Sequence, residues 1–154
     1  IENAAVVVVL SATAAIWEIE EDEAFSELEE LSALQLLDGA CRDKFNRERA
    51  CVHPMLRALG RAGLDAELLD GAERRHAQHY FDELQDWMEL WDIGETKAAP
   101  ALYMLDLDRP NLEAALRWAS RHADVAARVR LAIQKSGKRL LPKRLPPDVL
   151  AAWS

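Results

Sequence analysis

Cysteine is scarce in this sequence: Cys41 and Cys51 are the two among 154 residues. That is too few for the disulfide framework of a small secreted domain, and it fits a reducing, cytoplasmic setting. Basic residues are missing from the first quarter. Residues 1–41 hold no Lys or Arg against ten Asp and Glu. The apolar run from Ala4 to Leu10 therefore lacks the basic flank of a signal peptide. It is also too short to span a bilayer, so no membrane partner is expected. The sequence has no GxxxxGK[ST] phosphate loop, no GxSxG, no HExxH and no catalytic Cys–His spacing. Each of those patterns places a nucleophile, a metal or a phosphate cradle, and without them the chain reads as noncatalytic, with no catalytic residue, cofactor or metal of its own. The sequence opens at Ile1 and stops at Ser154 inside an amphipathic stretch, as expected of a fragment.

What is abundant is alanine and leucine. Half of the residues are hydrophobic, and β-branched residues are few outside one valine run, a composition that favours helices. The net charge of −8 is uneven, because residues 109–154 carry ten basic and three acidic side chains. Such asymmetry concerns how surfaces meet other molecules more than how the chain folds.

Taken in order, residues 4–16 (AAVVVVLSATAAI) are an apolar run whose alanines and length favour a buried helix over a strand. The acidic stretch 18–30 contains a helical stripe, Ala24, Phe25, Leu28 and Leu31, with Asp22 and Glu23 at the N-terminal end, where negative charge is stabilising. Asp38-Gly39 is a turn signal. Residues 40–53 predict two short strands around a polar turn between Asp43 and Arg47, with Cys41 directly across from Cys51. Pro54 opens a short helix, 55–62, with Leu56 and Leu59 turned inward and Gly63 at its end. Residues 65–71 read as a link. The longest helical pattern is 72–91, with one broad apolar face from Ala77 to Trp91. Further helices are expected over 97–107, 109–122 and 125–135, the second with Asp108 at its cap and Pro110 in its first turn. In that helix Leu112, Ala115, Leu116 and Ala119 form the stripe. Asn111 and Trp118 flank it, and Asn111 suits a half-buried amide bonded to a neighbouring helix end. Residues 136–147 are basic and proline-rich. The pattern predicts a mainly α fold with one β-hairpin followed by antiparallel helix pairs, divided as 1–64, 65–135 and a linker with the start of a further helix at 136–154.

Two clusters invite a metal reading. His76, His79 and Glu83 fall near one helical face, but that face is polar and a fourth ligand is missing. Cys41, Cys51 and His53 meet near the hairpin, again without four ligands at a usual spacing.

Three segments in order resemble the STAND (NB-ARC-like) signalling ATPases. Leu28, Leu31, Leu36 and Leu37, followed by Val52, His53, Pro54, Leu56 and Arg57, resemble the winged-helix segment that follows the nucleotide-binding domain there. ERRHAQHYFDEL (73–84) is similar to that family's next helix. Asn111, Leu112, Ala114, Ala115, Leu116, Trp118 and Ala119 match its N-L-x-A-A-L-x-W-A segment, which leads into tetratricopeptide-like repeats. The resemblance covers roughly residues 15–135. It implies a winged-helix-like domain and a tetratricopeptide-like helical region in a cytoplasmic regulatory segment, whose partner is a protein: the chain's own ATPase domain or another molecule. It also implies that His53 stands where some relatives contact bound nucleotide. The alternative is a DNA-binding winged-helix regulator, whose groove helix would be the acidic segment 22–34. Its carboxylates oppose phosphate, which argues against nucleic acid even though Arg42, Lys44, Arg47 and Arg49 make the hairpin tip basic.

Overall fold

The computed structural model describes residues 6–44 and 47–132. These form three strands and six helices: β1 (Val6–Val9), α1 (Leu10–Trp17), α2 (Glu21–Ala33), β2 (Leu37–Arg42), β3 (Glu48–Val52), α3 (Pro54–Gly63), α4 (Ala66–Ile93), α5 (Glu95–Ser120) and α6 (Ala123–Ala132). The fold is mainly α, as the composition implied. Two compact units divide the chain, Ile1–His76 and Ala77–Ser154, and α4 contributes residues to both.

In the first unit the three strands make an antiparallel sheet in the order β1-β3-β2. The expected helix over 4–16 is therefore half strand. Val6–Val9 pair with Val52–Arg49, and the helix begins only at Leu10. Periodicity could not separate the two states, and the cluster of valines decided the local outcome because β-branched residues fit a pleated ladder. Asp38-Gly39 is not a turn. It lies inside β2, where the register slips between Asp38 and Cys41 so that the strand carries one extra residue. On the turn side of the slip Cys41 stands across from Arg49, and beyond it Asp38 stands across from Cys51, so the two cysteines are not opposed and Cys51 is a free thiol.

Helices α1 and α2 end without glycine. Glu18 and Gln35 take the left-handed conformation instead, and Ile19 N–H and Leu36 N–H reach back to Ala14 O (3.1 Å) and Leu31 O (2.9 Å). These bonds satisfy carbonyls that a helix end leaves unpaired. Arg75 on α4 donates to Ile16 O at 2.6 Å and pairs with Glu18, a cation at the negative end of α1. The buried side chains here are small (Val9, Ala12, Thr13, Ala14, Ala24 and Ala50), with Arg49 among them.

The expected link at 65–71 is helical. Asp65 Oδ1 accepts from Leu68 N–H at 2.8 Å and starts α4 at Ala66. Tyr80, Leu84, Trp87 and Met88 are buried in the second unit, as the apolar face of that helix predicted.

The two expected helices either side of Asp108 are one helix, α5, with Pro100 and Pro110 inside it. Asp108 is buried in mid-helix and is not the cap of a helix start. An interior proline costs about 3 kcal/mol, and burial outweighs it here. Ala101, Leu105, Asp108, Leu112, Ala115 and Ala119 are all buried at alternating spacings of four and three residues, so the stripe keeps its phase through Pro110. Asn111 is fully buried and donates to Tyr80 Oη at 2.9 Å, meeting the middle of a neighbouring helix and not its end. Tyr80 and Asn111 lie at similar distances before and after Gly94, so this part of α4 and α5 run antiparallel.

Gly94 alone joins the two helices, at φ 125° and ψ −176°, a region open essentially to glycine. A Cβ there would meet nothing within 4 Å, so the penalty is backbone strain alone. Gly94→Ala is expected to lower stability by about 1–3 kcal/mol in urea denaturation. A loss under about 0.5 kcal/mol would show that the turn can rebuild itself.

Candidate functional site

The hairpin is fastened by one carboxylate. Asp43 accepts from Arg47 N–H at 3.1 Å, from Arg47 Nε at 2.9 Å and from Arg49 Nε at 3.0 Å. The Asp43 and Arg49 side chains are 2% and 5% exposed, so this is a buried, charge-assisted cluster at the turn. Next to it Arg42 pairs with Glu48 across the strands, an exposed ion pair. Among the cations expected at the hairpin tip, Arg42, Arg47 and Arg49 are therefore bonded to carboxylates, and Arg49 is buried.

The helix before the hairpin, α2, turns its charge outward. Glu21, Asp22, Glu23, Glu27, Glu29 and Glu30 are exposed, and none has an ion-pair partner among the described residues. The first three occupy the opening turn, where they oppose the positive end of the helix. An open cleft of about 480 Å³ lies between α2 and the hairpin. Val9, Leu10, Ser11 and Phe25 line it together with Glu21 and Asp22 of α2 and the paired Arg42, Arg47 and Glu48 of the hairpin. Sequence reading missed this cleft, because it depends on a register and a helix approach that no local pattern encodes.

His53 is the N-cap of α3. Its Nδ1 accepts from Met55 N–H at 3.2 Å. A neutral ring in that role carries its proton on Nε2, which faces outward as a donor. The helix it caps is strongly two-sided, yet none of its residues is buried. Met55 is 75% and Leu59 70% exposed, so the expected inward turn of Leu59 does not occur. Leu64 and Leu68 follow as further exposed apolar side chains.

His76 and His79 are half-buried on α4 with Glu83 one turn on. Among the described residues, no group of three or more His, Cys, Asp or Glu is placed to hold a metal ion. Among them, too, no helix is long and apolar enough to cross a membrane. The basic segment 136–147 lies outside the described residues. Asn111 and Trp118 are both buried, as core residues.

No family model, no curated protein and no solved structure matches this chain.

Proposed function

We propose that this chain is a noncatalytic regulatory and protein-interaction segment of a STAND-type signalling ATPase, working in the cytoplasm beside an ATP-binding domain encoded upstream. The observation that carries the interaction role is the exposed apolar surface of the first unit. Trp17, Leu34, Met55, Leu59, Leu64 and Leu68 all face solvent, and Met55 and Leu59 share one side of a helix that buries nothing. Exposed apolar patches on soluble domains mark places where another surface sits. What supports the family is connectivity. The order β1-α1-α2-β2-β3 with the sheet order β1-β3-β2 suits a winged-helix-like element, and the following antiparallel helices suit the start of a tetratricopeptide-like array.

Winged helices also bind DNA through the helix before the hairpin. Here that helix is α2, whose exposed carboxylates oppose phosphate, and the hairpin arginines are engaged with Asp43 and Glu48.

Two tests follow. The reading frame upstream of Ile1 should encode a GxxxxGK[ST] loop, and a complete frame without one removes the family assignment. For His53, the cap and the proposed nucleotide contact separate by substitution. His53→Ala should cost about 0.5–2 kcal/mol through the lost cap, while His53→Asn keeps a capping oxygen. In the parent chain, His53→Asn should weaken nucleotide binding about tenfold through the lost Nε2 donor. Unchanged affinity by calorimetry would leave His53 a cap and nothing more.

A further inference from the structure

We propose that the cleft between α2 and the β2–β3 hairpin is a docking groove for a cationic, leucine-bearing peptide segment of a protein partner. The inference deepens the interaction role above and rests on it. Size comes first. About 480 Å³ accommodates a few side chains, not a folded domain. Chemistry comes second. Val9, Leu10 and Phe25 give its lining an apolar part. Phe25 lies one turn along α2 from Glu21 and Asp22, so the ring and both carboxylates share a face. Charge balance decides the occupant. Arg42 is bonded to Glu48 and Arg47 to Asp43. Glu21 and Asp22 are left as the lining charges without an ion-pair partner among the described residues. Glu27 and Glu29 add negative charge further along the helix.

A lysine or arginine entering the groove can set its charged head between Glu21 and Asp22 while its methylene stem covers Phe25. A cation over that ring gains a further attraction, and an adjacent leucine covers the apolar side chains of the lining. An acidic peptide or a nucleic-acid phosphate meets the same field with the opposite sign.

The test uses the full 154-residue chain and fluorescence anisotropy, with fluorescein-labelled KLLKKLLK as probe and ELLEELLE as control. At about 50 mM salt the cationic peptide should bind saturably and at least about tenfold tighter than the acidic one, and salt should weaken it. The near-isosteric pair Glu21→Gln with Asp22→Asn should weaken binding about tenfold, as should Phe25→Ser. Glu30→Gln, on the same helix but outside the cleft, should stay within about twofold. Circular dichroism confirms that each variant is folded. Equal losses for Glu30→Gln and the Glu21/Asp22 pair would show diffuse attraction to a charged helix and overturn the groove. Equal binding of the two peptides, or tighter binding of random duplex DNA, overturns it as well. A failed peptide titration beside an upstream phosphate loop sinks this inference alone. A bound peptide without that loop sinks the family reading alone.

Discussion

Asp43→Ala should cost the first unit about 3–5 kcal/mol, the loss seen when one partner of a buried ion pair is removed. The carboxylate is the common acceptor of Arg47 N–H, Arg47 Nε and Arg49 Nε, and its own side chain is 2% exposed. Arg49 cannot simply turn to water, because it lies in β3, paired across from Cys41, with a 5% exposed side chain. Asp43→Asn keeps an acceptor for the Arg47 amide and loses the charge, so it should fall between, at about 1–3 kcal/mol. Arg42→Ala breaks the exposed pair with Glu48 and should stay within about 1 kcal/mol. The order Ala, then Asn, then the Arg42 variant is the diagnostic, read by urea denaturation with far-ultraviolet circular dichroism. Asp43→Ala within about 1 kcal/mol of the parent chain would show that strand pairing alone holds the hairpin. Because Arg47 lines the cleft, loosening this cluster should also weaken the cationic peptide.

The same cluster shows what the sequence could and could not disclose. A polar turn between Asp43 and Arg47 was legible, and Asp43 N–H does donate to Arg47 O at 3.0 Å. That one aspartate would gather both arginines was not, because it depends on the register next to the turn, Arg42 opposite Glu48 and Cys41 opposite Arg49. The same turn-side register puts Cys41 opposite Arg49 and so excludes the expected Cys41–Cys51 pairing, because a hairpin that closes one residue earlier changes every partner along it. Long amphipathic stretches were legible for a different reason. The buried face of α4 needs only a 3.6-residue period, and that period is written in the side chains. Its start was missed, although Asp65 followed by Glu67 carried the signal of a cap and an acidic first turn. At Pro110 a local rule lost to a longer one. Proline argued for a helix start, while the unbroken phase of Ala101, Leu105, Leu112 and Ala119 argued for continuation, and burial of that stripe prevailed. His53 lies between β3 and α3, at the junction of hairpin and helix. The exposed side of α3 was misread, because amphipathicity shows that a helix has an apolar face and not whether anything covers it.

Trp118→Ala should be the most damaging single change in the second unit, at about 3–5 kcal/mol, combining lost transfer energy with an unfilled cavity. Trp118 is buried in the last turn of α5. Its ring stacks on His122, with centroids 3.9 Å apart and planes 20° from parallel. His122 Nδ1 lies 2.8 Å from Trp118 O, and His122 O accepts from Val125 N–H and Ala126 N–H at the start of α6. One indole therefore fills the core and also positions the residue that closes α5 and opens α6. His122→Ala removes the stack and the contact with the last carbonyls but leaves the core filled, so about 1–2 kcal/mol is expected. The two residues touch, so their effects should not add. The double variant should cost less than the sum by about 0.5–2 kcal/mol, which a double-mutant cycle in urea measures directly. Trp118→Phe separates volume from stacking. It keeps an aromatic face for His122 and gives up only part of the volume, so it should recover more than half of the alanine loss. If Phe proves as damaging as Ala, the cost lies in the shape of the indole against its neighbours. If the cycle is additive, the Trp118–His122 stack does not couple the two helix ends, and burial alone explains why the tryptophan matters.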